Sequence, residues 1–197
     1  MNNITFAYNQ EAALAAGQSA FINESGAYVV TILEAKYMTS SGGAESIEFS
    51  VESDDGKKAN YLNVYNTKKD KTPNKHGVNM IHAIMGCAGV QQLTTKMINA
   101  HTHIAPEFTN KRVGLVLQKT LKTKANGQET YNLDILLPFI AQTKQTLDEQ
   151  INGLPAQTID KKLETLQDKD DRKPVERGYQ QYSQELPSDE VFFQDRF

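Results

Sequence analysis

Ser46-Ile-Glu-Phe-Ser-Val-Glu-Ser-Asp-Asp-Gly-Lys-Lys-Ala-Asn-Tyr-Leu-Asn-Val-Tyr65 is the stretch on which the fold turns. Ile47, Phe49 and Val51 alternate with Glu48, Ser50 and Glu52, the two-residue period of a strand with one buried face. Asp54-Asp-Gly56 supplies turn chemistry, so the chain doubles back into a second strand over 57–65. If Leu62 and Val64 join the apolar face, Tyr61, Asn63 and Tyr65 must face the other way, because successive side chains leave a strand on opposite sides.

Upstream, Ala27 to Met38 is rich in β-formers and ends at Ser40-Ser-Gly-Gly43, which predicts another strand and a turn. Downstream, Val78, Ile81, Ile84, Met85 and Ala88 recur at helical spacing behind Asn74 and before Gly89, which predicts a helix buried on one side. After an irregular stretch, Arg112–Gln118 and Tyr131–Leu137 read as two more strands, joined by a lysine-bearing loop over 119–130. The order β-β-β-α-β-β predicts a mainly β protein: a five-stranded OB-fold, a Greek-key barrel with a helix between strands three and four. This domain is expected over 26–140, behind an N-terminal segment (1–25) and ahead of a polar linker and acidic C-terminal tail (141–197). Within that linker Ile159, Leu163 and Leu166 can line one face of a short helix that docks on the barrel or on another subunit, which leaves a homodimer open.

Composition agrees with one domain plus an extension: 197 residues, 39% hydrophobic. The single cysteine, Cys87, excludes an internal disulfide, and no apolar run approaches the roughly 20 residues of a membrane helix. The opening Met-Asn-Asn-Ile-Thr-Phe lacks the features of a secretory signal, so a soluble cytoplasmic protein is expected. Residues 1–140 hold 13 Lys plus Arg against 12 Asp plus Glu, and residues 141–197 hold 8 against 12, so the acid excess lies in the tail.

Within the first part the bases cluster as Lys57 and Lys58, as Lys68, Lys69, Lys71 and Lys75, and as Lys119, Lys122 and Lys124. On the outer face of strands two and three, Tyr61 and Tyr65 would stand about 13 Å apart at roughly 3.3 Å per residue, a spacing that suits stacking on separated bases of a flexible strand. The same rings would equally serve to cover the helix or the N-terminal segment, because tyrosine buries its body and keeps its hydroxyl wet. Lysine is a hydrated point charge that meets phosphates without fixed geometry, and Arg112 is the one arginine in residues 1–140, so base-specific reading is not expected.

Catalytic and metal chemistry find little to stand on. His101-Thr-His103 with Glu107 is the one metal-like grouping, and Pro106 with a weak apolar pattern makes it a loop. His76 and His82 read as structural histidines of the helix, and Cys87, beside Met85, Gly86 and Ala88, as a small buried apolar residue. No phosphate loop, serine nucleophile motif or spaced carboxylate pair is present, so neither an enzyme, a cofactor nor a metal is expected.

Glu24-Ser-Gly-Ala-Tyr-Val-Val-Thr-Ile-Leu-Glu-Ala, Ser-Gly-Gly43 followed by Ser46-Ile-Glu-Phe-Ser-Val51, and Asn79-Met-Ile-His-Ala-Ile-Met-Gly-Cys-Ala-Gly-Val90 resemble phage replication and recombination-module proteins, OB-fold binders of single-stranded DNA, over roughly residues 24–140. The last thirteen residues, Glu185 to Phe197, carry four acids and three phenylalanines. They are similar to the acidic, phenylalanine-terminated tails by which bacterial and phage single-strand binders recruit replication and repair enzymes. Phe197 matches the terminal phenylalanine, and Asp189 and Glu190 the acids; Gln194-Asp-Arg196 stands where the bacterial pattern has a run of Asp followed by Ile-Pro. Phe192, Phe193 and Phe197 are thus expected to be gripped by a partner, or else to tuck onto this protein's own core.

The expected function is non-enzymatic binding of single-stranded DNA without strong sequence preference in phage DNA replication, recombination and repair. The site would comprise Tyr61, Tyr65, Lys57, Lys58, Lys68, Lys69, Lys71, Lys119, Lys122 and Lys124, with the tail recruiting partner proteins and, for a phage-encoded chain, the host cytoplasm as its compartment. The alternative is a protein-interaction adaptor on an OB-like barrel that does not bind nucleic acid, for which the near-neutral charge of residues 1–140 speaks.

Overall fold

Alternating apolar side chains pair the strands of this protein into one sheet, and the computed structural model describes it over residues 7–10 and 20–172. The strands are β1 (Gly26–Thr39), β2 (Glu45–Ser53), β3 (Lys58–Tyr65), β4 (Lys96–Asn99), β5 (Thr102–Ile104), β6 (Arg112–Thr123), β7 (Glu129–Phe139) and β8 (Lys169–Asp170). Helix α1 (Lys75–Ala88) follows β3, and α2 (Leu147–Ile151) and α3 (Thr158–Glu164) follow β7. Among the described residues these eight strands form one open sheet, antiparallel except where β8 lies parallel to β6. The long β1 takes three partners: β6 over Gly26–Thr31, β2 over Val30–Thr39, and β5 at Lys36 and Tyr37.

The closed five-stranded barrel expected from the strand order is not formed. β3 pairs with β2 alone among the strands and β7 with β6 alone, so each is an edge. At the start of β3 the backbone groups that β7 would need are taken: Ile22 N–H donates to the Lys58 carbonyl (2.9 Å) and Lys58 N–H to that of Ala20 (2.9 Å). At its other end α1 closes in. Gly77 comes so near the end of β3 that a Cβ there would overlap the Tyr65 carbonyl, and Asn74 Nδ2 donates to that oxygen (2.8 Å). The Asn74 side chain is therefore engaged with β3 and does not cap the helix.

The core lies inside this curled sheet. Val30, Ile32, Phe49, Val51, Leu62 and Leu115 are almost fully buried, and Phe49 meets Phe108 edge to face with ring centres 5.2 Å apart. From α1 it receives Met80, Ile81, Ile84 and Cys87, while Val78, Met85 and Ala88 are only half-buried, a face turned slightly from the expected one. His76 and His82, read from the sequence as structural histidines of the helix, stand on its exposed face.

Two connections also differ from expectation. The loop expected over 119–130 is mostly hairpin: β6 and β7 stay paired to Thr123 and Glu129, and Lys124 N–H donates to Gln128 O (2.8 Å) to close a tight turn. Polar residues such as Lys119 and Lys122 hide a strand from a reading based on hydrophobic alternation, although the backbone ladder needs only partners. The stretch read as irregular contains the β4–β5 hairpin and a 3-10 turn at Pro106–Phe108. His101-Thr-His103 is thus not a loop throughout, since Thr102 and His103 belong to β5. Glu107 is engaged with Thr94, whose N–H (3.1 Å) and hydroxyl (2.5 Å) donate to it and lower its pKa.

Beyond β7, Leu147 of α2 packs beside Gly86 of α1 against the main core, and β8 extends the sheet beside β6. Ile159 of α3 is buried with Val116 and Phe139, and Leu166 packs against them, while Leu163 is exposed. Thr146 and Glu149 form a reciprocal capping box at the start of α2. Residues 173–197, including the expected tail, lie outside the described residues.

Candidate nucleic-acid interface

The edge of β3 opens onto a groove. Across β2 and β3 the register passes from Phe49–Leu62 to Val51–Ala59, leaving one extra residue in β3 opposite Ser50. The bulge lets Ala59 and Leu62 both point inward and leaves Tyr61 with a φ of 62°, in the left-handed region. That conformation costs a bulky L-residue on the order of 1–2 kcal/mol, and it holds Tyr61 out with 76% of its surface exposed. Tyr65 is also exposed, as the alternation predicts, and Asn63 between them is satisfied by Ser46 Oγ (3.0 Å) and Glu48 Oε2 (3.3 Å).

Three hollows run along this edge. The first, about 360 Å³, lies between β3 and β7 and is lined by Tyr61, Lys58, Phe21 and Tyr131. The second, about 200 Å³, continues from Asn63 to Tyr65 beside α1. Tyr65 also lines the third, about 590 Å³, with Lys68, Lys69 and the β1–β2 turn at Ser40–Ala44. Shared walls make them one groove, with Tyr61 near one end and Tyr65 near the other. Phe21 and Tyr131 were not singled out from the sequence. A lone Phe ahead of β1 and a Tyr on a polar hairpin carry no periodic signal, and only the approach of β7 to β3 brings them to Tyr61.

The lysines divide by partner. Lys57 pairs with Asp55 (3.0 Å), which raises its pKa through a hydrogen bond; Lys58 pairs with Glu52 (3.6 Å), Lys71 with Glu45 (3.4 Å) and Lys119 with Asp168 (3.8 Å). Lys68, Lys69 and Lys124 enter no ion pair among the described residues. Lys119 and Lys122 lie on β6 and not on the expected loop; Lys119 Nζ stands 5.3 Å from the Tyr131 ring centre, and Lys122 Nζ donates to the Asn132 side-chain oxygen (2.9 Å). The groove therefore gathers Tyr61, Tyr65, Lys58, Lys68 and Lys69. Lys57 and Lys124 line none of the three hollows and sit at hairpin turns, on the β2–β3 and β6–β7 connections. Away from the edge the outer face of β2 is acidic: Glu48 and Glu52 alternate with the buried residues, and Lys36, paired with Glu48 in register, is held by Glu34 (2.9 Å).

A family model matches residues 5–133, almost two thirds of the chain. The chain belongs to the family described as protein of unknown function (DUF669). Phe21, Tyr61, Tyr65, Tyr131 and every lysine of the expected site fall inside the matched residues, whereas α2, α3 and β8 lie beyond them. No curated protein matches the chain. Among the described residues no helix is long and apolar enough to cross a membrane, and no group of three or more His, Cys, Asp or Glu side chains could hold a metal ion.

Proposed function

We propose that this protein binds single-stranded DNA, without strong sequence preference and without catalysis, along the β3 edge groove. The observation that carries this reading is Tyr61, a large aromatic side chain held in an unfavourable backbone conformation yet exposed to solvent, with Tyr131, Phe21 and Lys58 beside it. Strain of this kind persists where the surroundings impose it and concentrates at functional sites. Exposed aromatics offer stacking of about 1–3 kcal/mol per base, available to any sequence. Lysines near both ends of the groove would meet phosphates.

The strand arrangement supports an OB-like interpretation. β1, β2, β3, β6 and β7 follow one another in the order of that fold, with α1 by the β3 and β7 edges and the β4–β5 hairpin and β8 as additions. On this reading the protein serves phage-type replication, recombination or repair, in the cytoplasm of the host cell. Asp189, Glu190, Phe192, Phe193 and Phe197 then recruit replication or recombination proteins, as the resemblance of the tail implies.

Anisotropy with labelled oligo-dT, oligo-rU and duplex at two salt concentrations tests the proposal. Oligo-dT should bind more tightly than duplex and lose affinity as salt rises, since phosphate contacts release counterions. Absence of oligo-dT binding at low salt, or equal affinity for duplex, overturns it. A protein-interaction adaptor would then be favoured, on the strength of the acidic outer face of β2.

A further inference from the structure

The gap between the two sheet edges is more than a surface on which bases rest. Phe21 approaches from the N-terminal segment, Tyr61 from the β3 bulge and Tyr131 from β7, and all three line one hollow of about 360 Å³. They are 51%, 76% and 36% exposed, a concentration of accessible aromatic surface that a folded chain normally buries. The walls are held in place. Ala20–Ile22 is tied to Lys58 through two backbone hydrogen bonds, and the Tyr131 hydroxyl donates to the Ile22 carbonyl (3.2 Å).

The floor and rim are polar in a way that suits a flat heterocycle. Asn132 donates its amide to the Tyr131 carbonyl (3.2 Å), and Lys122 stands on its oxygen. Asn60 is exposed, and its amide has no partner among the described residues. Rings to stack on, an amide able both to donate and to accept, and a lysine at the entrance (Lys58) match the chemistry of a nucleotide with its base turned inward. A peptide strand fits the seam less well, because Lys58 already directs its backbone groups to Ala20 and Ile22.

We infer that the β3–β7 seam takes in one nucleobase of the bound single strand, which leaves the stack of its neighbours and inserts among Phe21, Tyr61 and Tyr131. This rests on the proposed DNA binding and adds a site to it. Tyr65 and the Lys68–Lys69 turn, at the far end of the groove, engage the strand as it passes over the surface.

The chain has no tryptophan, so Tyr131→Trp is a reporter without background. Saturating oligo-dT should quench its fluorescence, whereas an oligonucleotide of abasic residues, which keeps every phosphate, should leave it unquenched. Tyr131→Phe, which keeps the ring and loses the hydroxyl, should bind oligo-dT within about twofold of the wild type, and Tyr131→Ala should bind roughly tenfold more weakly. Circular dichroism of each variant shows whether the fold is kept. If wild-type protein binds oligo-dT but the Tyr131→Trp signal does not change and Tyr131→Ala binds normally, the seam is not a base site and DNA binding stands without it. Quenching by the abasic strand equal to that by oligo-dT also overturns base insertion. If wild-type protein binds no oligo-dT, both readings fall.

Discussion

Glu149→Gln asks whether the starts of α2 and α3 are tied to one another by one carboxylate. Glu149 is 4% exposed, and both its oxygens are occupied. One accepts from the N–H (2.8 Å) and hydroxyl (3.1 Å) of Thr146; the other accepts from Gln157 N–H (2.9 Å), Thr158 N–H (2.7 Å) and the Thr158 hydroxyl (2.7 Å). These donors, led by the Gln157 and Thr146 backbone N–H groups, hold the carboxyl at about 2 against an ordinary 4.5. Taken wholly as stability, that difference corresponds to about 3 kcal/mol, and because a hydrogen bond to a charged group nets only part of its strength against the water it replaces, about 1–2 kcal/mol is expected. Glutamine keeps the shape but turns an NH2 group toward donors, so the variant should lose about that much at pH 7. The folded carboxyl is more acidic than the unfolded one. The contribution is therefore complete above about pH 4.5 and disappears as pH falls toward 2. Urea denaturation of both proteins from pH 7 to pH 3 measures it, and the gap should hold from pH 7 to about pH 5 and narrow below it. A gap undiminished at pH 3 would refute the electrostatic account and leave only a shape effect; no gap at pH 7 would show that the network contributes nothing net.

Tyr61→Ala and Tyr65→Ala should each weaken oligo-dT binding by roughly 1–3 kcal/mol with folding intact, and Lys58, Lys68 and Lys69 changed together to Ala should flatten the salt dependence measured by anisotropy. Tyr61→Gly, which relieves the positive φ, should raise the unfolding free energy by up to about 1 kcal/mol while weakening DNA binding, so a destabilised Tyr61→Gly would show that the ring packs on the protein. Gly77→Ala should cost more than about 2 kcal/mol in thermal or urea unfolding, because the new methyl group meets the rigid Tyr65 backbone. Cys87, whose thiol burial pushes up to about 11, should resist alkylation in the native protein at pH 8 and react on unfolding; fast native labelling would place it at an open surface.

The sequence by itself determined the local periods. Ile47, Phe49 and Val51 had to share a buried face, Tyr61 and Tyr65 had to leave β3 on the other side, and the apolar spacing over 78–88 had to be a helix, because a side chain's direction follows from dihedral geometry within a few residues. Ile159 likewise announced a docking helix. What the alternation could not carry was anything held by pairing alone. The polar ends of β6 and β7, with lysines on β6, and the short β4–β5 hairpin are strands because a neighbouring backbone accepts their hydrogen bonds, and their side chains scarcely record it. The bulge that swings Tyr61 into a strained conformation is a register adjustment between two strands, invisible in either alone. The seam depended still more on tertiary structure. Phe21 and Tyr131 are 110 residues apart in the chain, and they line one hollow with Tyr61 because Ala20–Ile22 occupies the start of β3, leaving β7 beside that edge without joining it.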